Sequence, residues 1–146
     1  MREMAPLSAA ALLQLPVRLH GIQLGRPTDL LLETDSWQAL GFVVHCGDEA
    51  PRFLPYPASQ PSTDEIAVGS ALMLLDDLAF YRQRGASLRG LLGGEVERAG
   101  QPAGLLRDVL LGPGGAVREL EVERAGAVAR VAAAGSRVAP ARASAA

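Results

Sequence analysis

His45-Cys46-Gly47-Asp48-Glu49 is the one stretch of this sequence whose residue types could carry chemistry unaided. An imidazole beside a thiol is the pairing of a cysteine nucleophile with its base. Neighbouring residues on a strand point to opposite faces, however, so His45 is badly placed to take a proton from Cys46. A zinc site drawn from His20, His45, Cys46 and Asp48 needs long-range convergence that no spacing signals. Cys46 therefore reads as a small buried hydrophobe. As the only cysteine it excludes both an intramolecular disulfide and a cysteine-rich zinc site. Gly90-Leu91-Leu92-Gly93-Gly94 lacks the lysine and the following helix of a phosphate loop, and no serine sits in a nucleophile elbow. The expectation is a chain that is not an enzyme, with no catalytic, metal-binding or cofactor-binding residue and no evident small-molecule substrate.

Binding is better supported than catalysis. Trp37 stands beside Ser36 and Gln38 in a loop of a chain that is only 4% aromatic, and exposed aromatics anchor contacts. It reads either as such an anchor or as a cap folded back on the first half. Phe53-Leu54-Pro55-Tyr56-Pro57 offers an apolar ledge or closes the bottom of that half. Arg82, Arg84 and Arg89 form a basic cluster, suited to an acidic partner or RNA, or simply a solvated helix end. With Tyr81, these seven residues (Trp37, Phe53, Tyr56, Tyr81, Arg82, Arg84 and Arg89) are the candidate partner-binding set. The net charge is −2, whereas nucleic-acid binders usually carry a basic surplus, so the balance favours a protein partner over RNA or a ribosome. All 14 basic residues are arginine, which with the abundant Ala, Gly and Leu reads as codon bias.

The elements that must position these residues emerge from an internal repeat. Val17 to Leu32 aligns without a gap on Val96 to Leu111, an offset of 79. The valine, both glycines (Gly21 and Gly25 over Gly100 and Gly104), Asp29 over Asp108 and two leucines are identical. Shortening the next loop by one residue brings Phe42 and Val44 over Leu120 and Val122. Arg52-Phe53 then lies over Arg130-Val131, and Gly69-Ser70 is matched with Gly135-Ser136. Asp29 and Asp108 read either as functional carboxylates or as structural groups at the same place in both copies; the lack of nearby carboxylate or histidine partners favours the structural reading.

Val117-Arg118-Glu119-Leu120-Glu121-Val122 alternates as a half-buried strand does, and Ala127 to Val131 forms another. Gly112-Pro113-Gly114-Gly115 supplies a tight reversal between strands 105–111 and 117–123. Asp76 to Gly85 carries helix punctuation, with acids at its start, arginines near its end and a glycine after it. About half the residues are apolar, enough for a packed core and too many for a disordered chain. The fold class is all-β. Segment 1–16 reads as loosely ordered, 17–76 as the first copy, 77–87 as a linker helix, 88–140 as the second copy and 141–146 as a disordered tail. No stretch is apolar enough to insert into a membrane, and the default location is cytoplasmic. Copies of about 60 residues are marginal alone, so the two should pack as one pseudo-symmetric unit.

Val96, Gly100, Gly104, Leu106-Arg107-Asp108-Val109, the turn at Gly114-Gly115 and Val117 to Val122 resemble the PRC-barrel family, best over 88–140. The first copy resembles it through its likeness to the second, and departs in 51–61 and in the Asp35-Ser36-Trp37 loop. The resemblance implies two tandem small β-barrels used for protein contacts, with no family catalytic residue to carry over. The expected function is a non-enzymatic protein-binding scaffold or adaptor; the alternative is an RNA- or ribosome-associated assembly factor, by analogy with one branch of the family.

Overall fold

The computed structural model describes residues 6–47 and 50–140. Segments 1–5 and 141–146, the latter including the expected tail, lie outside the described residues, as do Asp48 and Glu49. In chain order the elements are β1 (Leu7–Ser8), α1 (Ala9–Leu12), β2 (Val17–Leu19), β3 (Ile22–Glu33), β4 (Gln38–His45), β5 (Arg52–Pro55), β6 (Ser59–Pro61) and β7 (Ile66–Val68). Then follow α2 (Leu78–Arg82), β8 (Ala86–Ser87), α3 (Leu88–Leu91), β9 (Glu95–Arg98), β10 (Gln101–Leu111), β11 (Val117–Arg124), β12 (Ala127–Ala132) and β13 (Ser136–Val138). The chain is all-β in class. One sheet has the order β5-β4-β3-β2-β7-β6 with β8 added to β3; the other has the order β12-β11-β10-β9-β13 with β1 added to β10.

The two copies share their ladder. Leu30 pairs with Phe42 and Val109 with Leu120; Leu32 pairs with Ala39 and Leu111 with Val117. Register shifts fall between Pro27 and Asp29 in one copy and between Leu106 and Asp108 in the other, then between Leu31 and Leu32 and between Leu110 and Leu111. Such bulges explain a feature of the sequence. Buried residues fall at Ala39, Phe42 and Val44 and at Val117, Leu120 and Val122, a spacing of three then two that strict alternation would not allow. The one-residue deletion in the second hairpin is absorbed at the turn, where Trp37 (φ 53°) and Gly115 (φ 84°) both adopt the left-handed conformation. Gly25 and Gly104 are needed for another reason: a Cβ there would meet the carbonyl oxygen of His45 at 2.5 Å or of Glu123 at 2.8 Å.

Beyond β5 and β12 the copies diverge, and two alignment anchors shift. Leu54 pairs with Phe42 as Val131 pairs with Leu120, so Phe53 corresponds to Arg130 and not to Val131. A slip of one residue exchanges the two faces of a strand. Gly69-Ser70 follows β7, which runs parallel to β2, whereas Gly135-Ser136 leads into β13, which runs antiparallel to β9. These pairs are not equivalent.

The repeat also starts earlier than Val17, and its first elements are exchanged. Residues 7–12, read from the sequence as a loosely ordered lead-in, form β1 and α1 and dock on the second copy, with Leu7 opposite Leu111 and Ser8 opposite Leu110. In return Ala86 and Ser87 pair with Leu32 and Leu31 of the first copy. Each Ser8 and Ser87 stands at the same offset of 79 as the repeat. Each caps the short helix that follows it: Ser8 Oγ accepts from Ala11 N–H and Ser87 Oγ from Gly90 N–H, both at 3.1 Å. Each also donates its hydroxyl to the aspartate of the other copy, Ser8 to Asp108 and Ser87 to Asp29. The aspartates accept further N–H groups from Ala10 at 2.9 Å and Arg89 at 3.1 Å. The duplicated aspartates thus hold the copies together.

One hydrophobic core runs through both sheets, taking in Leu30, Phe42, Val44 and Leu54 from the first copy and Val109, Leu120 and Val122 from the second, with Leu12 and Leu88 from the exchanged helices. Gln38 and Ala116, counterparts in the two copies, form an isolated antiparallel bridge, placing the pseudo-two-fold axis there.

Candidate protein-contact surface

The seven candidate residues divide into three groups. Trp37, Phe53 and Tyr56 are buried, which corrects their reading as surface anchors. Trp37 reaches into the second copy, where its indole Nε1 donates to the carbonyl of Ser136 at 3.2 Å. Neither alternative weighed for it foresaw a contact between copies. Tyr56 stacks on Phe42 with ring centres 5.8 Å apart and lies against Gly115, where a Cβ would meet its ring at 2.7 Å. Burial raises its hydroxyl above the usual tyrosine range. Arg89 belongs to α3, where its guanidinium Nε donates to the Thr28 carbonyl and its backbone N–H to Asp29. It fastens the exchanged segment and does not join the other arginines.

The third group converges on α2. Leu78 is buried in a small second cluster with Leu31, Val43 and Phe53, on the face of the first sheet turned away from the main core. Tyr81, three residues on, lies flat on Phe53 with ring centres 3.9 Å apart. The i, i+3 spacing puts Leu78 and Tyr81 on one helix face, which leaves Phe80 46% exposed. Phe80 meets Tyr81 edge-on at 5.1 Å, and the Arg84 guanidinium lies over the Phe80 ring at 4.1 Å from its centre. Arg82 and Arg84 are exposed. The expected linker helix over 77–87 is this five-residue turn followed by β8. Asp77 stands at its N-cap without a side-chain capping bond.

The segment leading into α2 is tied to the edge of the sheet. Phe53 and Leu75 exchange two backbone hydrogen bonds of 2.9 and 2.7 Å, and Arg52 pairs with Asp76 at 2.5 Å. Just before them Leu72 is 86% exposed and Met73 is exposed in a 3-10 turn. Glu33, Leu40, Phe53, Pro55, Tyr81 and Arg84 line a groove of about 460 Å³ beside the helix. Phe80 is thus an exposed aromatic with Arg82 and Arg84 at its margin. Leu72, Met73 and Phe80 are exposed apolar residues that the seven sequence candidates do not include.

Of the histidine and cysteine stretch, His45, Cys46 and Gly47 are described. His45 is exposed, while Cys46 is half-buried and packs against the main core. His20 sits in the β2–β3 turn two residues before Ile22, and His45 pairs with Arg26, so about 13 Å of strand, from Ile22 to Arg26, lies between them. Among the described residues no three His, Cys, Asp or Glu side chains gather, and no helix is long and apolar enough to cross a membrane. Neither a protein-family model nor a curated protein matches this chain.

Proposed function

We propose that the chain is a non-enzymatic scaffold, built from two PRC-barrel-type modules, that presents the α2 surface to another protein. The modules are the copies read at 17–76 and 88–140, each completed by the lead-in of the other, and segment 77–87 carries the contact. In this reading the chain is a cytoplasmic protein that uses no cofactor. The observation that carries the proposal is Phe80, left outside the core with Arg84 over its ring while Leu78 and Tyr81 pin its helix to Phe53. A ring fixed in this way loses little conformational freedom on binding. The matching ladders and bulges of the two copies support the tandem-module part.

The test is a tagged-protein capture from native lysate, comparing the wild-type chain with Phe80→Ala/Arg84→Ala and with Arg137→Ala, at an exposed position remote from α2, as a control. A protein recovered by the wild type and the control, lost with the double variant at unchanged circular dichroism and indifferent to nuclease, is the expected result. Ribosomal material that disappears with nuclease would overturn the proposal in favour of an RNA-associated assembly role.

A further inference from the structure

β12 is the outermost strand of its sheet, bonded to β11 on one side and to no strand on the other among the described residues. Ala127 to Arg130 are all exposed, and Val128 is 59% exposed. Few of the devices that usually protect an edge are present: residues 127–132 hold no proline and a single charge, Arg130, and the register from Glu119 opposite Ala132 to Arg124 opposite Ala127 has no bulge. Ala125 and Gly126, with φ of 51° and 81°, form a two-residue turn of type I′. Arg124 and Ala127 therefore close the hairpin as a hydrogen-bonded pair, and Ala129 and Val131 likewise bond to β11. The backbone groups of Val128, Arg130 and Ala132 point to the open side. Among these the Ala132 carbonyl is already engaged, accepting from the Arg98 guanidinium and from the Ser136 hydroxyl at 2.7 Å.

We propose that this edge pairs antiparallel with the same edge of a second copy of the chain, about a two-fold axis. Backbone parity allows only registers that bring Val128, Arg130 and Ala132 onto one another. Setting Val128 on its own counterpart overlaps three residues before the turn intervenes. Setting Arg130 on its counterpart opposes like charges. Registers centred on Val131 or Ala132 would pair through the Ala132 carbonyl, which Arg98 and Ser136 already occupy; the one left puts Ala129 on the axis, Val128 opposite the partner's Arg130, and Ala127 opposite the partner's Val131. It uses the whole of 127–131 with no like charges directly opposed, while Arg130 keeps Glu121 beside it at 3.9 Å. The contact is small, so the dimer is transient and concentration-dependent. It lies on the second copy and does not depend on the α2 reading.

Sedimentation equilibrium of the full chain, to concentrations of about 1 mM, is the first measurement, and reversible dimerisation is expected. Val128→Lys places a like charge opposite the partner's Arg130 twice over and should raise the dissociation constant about tenfold; Val128→Glu should lower it by a similar factor. Within one chain the order is reversed, because residue 128 faces Glu123 across the hairpin. An effect on folding alone would thus rank the two variants the other way. Ala129→Cys should give a disulfide-linked dimer on oxidation, since the two Cα atoms lie about 4.5 Å apart, whereas the wild type with Cys46 alone should not. A chain that stays monomeric, a dimer indifferent to the sign at 128, or failure of the Ala129→Cys cross-link would each overturn the proposal.

Discussion

Leu31, Val43 and Phe53 in the first copy hold the ladder positions of Leu110, Glu121 and Arg130 in the second. In the first copy they form a buried cluster beneath α2; in the second, Glu121 and Arg130 make an ion pair on a face with no helix over it among the described residues. Two changes along one row of a shared ladder decide whether a sheet has one packed face or two. The helix and the apolar row depend on each other. A five-residue helix has no stability of its own, and an uncovered Phe53 beside Val43 would leave a sticky face. The lesson is that the main core is common property of the repeat, while the second cluster beneath α2 is an elaboration of the first copy alone.

The largest expected effect tests the common property. Cutting the chain between Gly85 and Ala86 leaves each half holding the lead-in that completes the other. Residues 86–146 alone should show no cooperative unfolding transition, and an equimolar mixture with residues 1–85 should restore one, as followed by circular dichroism in urea. A cooperative fold from 86–146 alone would break the picture of interlocked halves. Next in size is the contrast between the outer faces. Phe53→Ala removes a fully buried ring and the support of Tyr81, and should cost about 3–5 kcal/mol. Arg130→Ala, at the equivalent position, loses only an exposed ion pair and should change stability by less than about 0.5 kcal/mol. Equal losses in denaturant titrations would mean that the second sheet's outer face is covered after all.

Much of the common ladder was legible, because a strand's burial pattern and a turn's glycines are local signals. The gap of one residue that set Phe42 over Leu120 agrees with the observed register. The slip at Arg52-Phe53 had a physical cause: both copies present an arginine followed by an apolar residue there, and only the pairing partner across the ladder says which of them faces inward. The exchange was not legible at all. Ser8 and Ser87 precede equivalent segments, and either serine has the chemistry to cap onto either aspartate, so the sequence holds no preference between a copy closed on itself and two copies exchanged. Trp37 misled for a related reason. Its scarcity pointed to an anchor or to a cap on the first half, whereas the buried ring crosses to the second copy and donates to the Ser136 carbonyl.

The smallest predicted effect concerns that seam. Tyr56 lies two residues beyond Leu54, where the second copy, two residues beyond Val131, has the buried Ala133. Burial raises the Tyr56 hydroxyl above its ordinary value of 10.0, so the folded state holds this proton more tightly than the unfolded state. Its contribution is complete below about pH 10. As pH rises beyond that, the unfolded chain ionises first and stability falls, with a slope of at most about 1.4 kcal/mol per pH unit, until the folded pKa is passed. Tyr56→Phe should therefore follow the wild type at a constant offset below about pH 10 and gain on it above. Because the chain has no lysine and arginine stays charged there, few other side chains titrate in this window. Tyr81→Phe serves as the control for the second tyrosine. Urea midpoints measured from pH 8 to pH 11.5 give the difference curve (about 0.5 unit steps suffice); a curve that stays flat throughout would mean that the Tyr56 hydroxyl reaches water, and that the seam between the copies is looser than its packing on Phe42 and Gly115 implies.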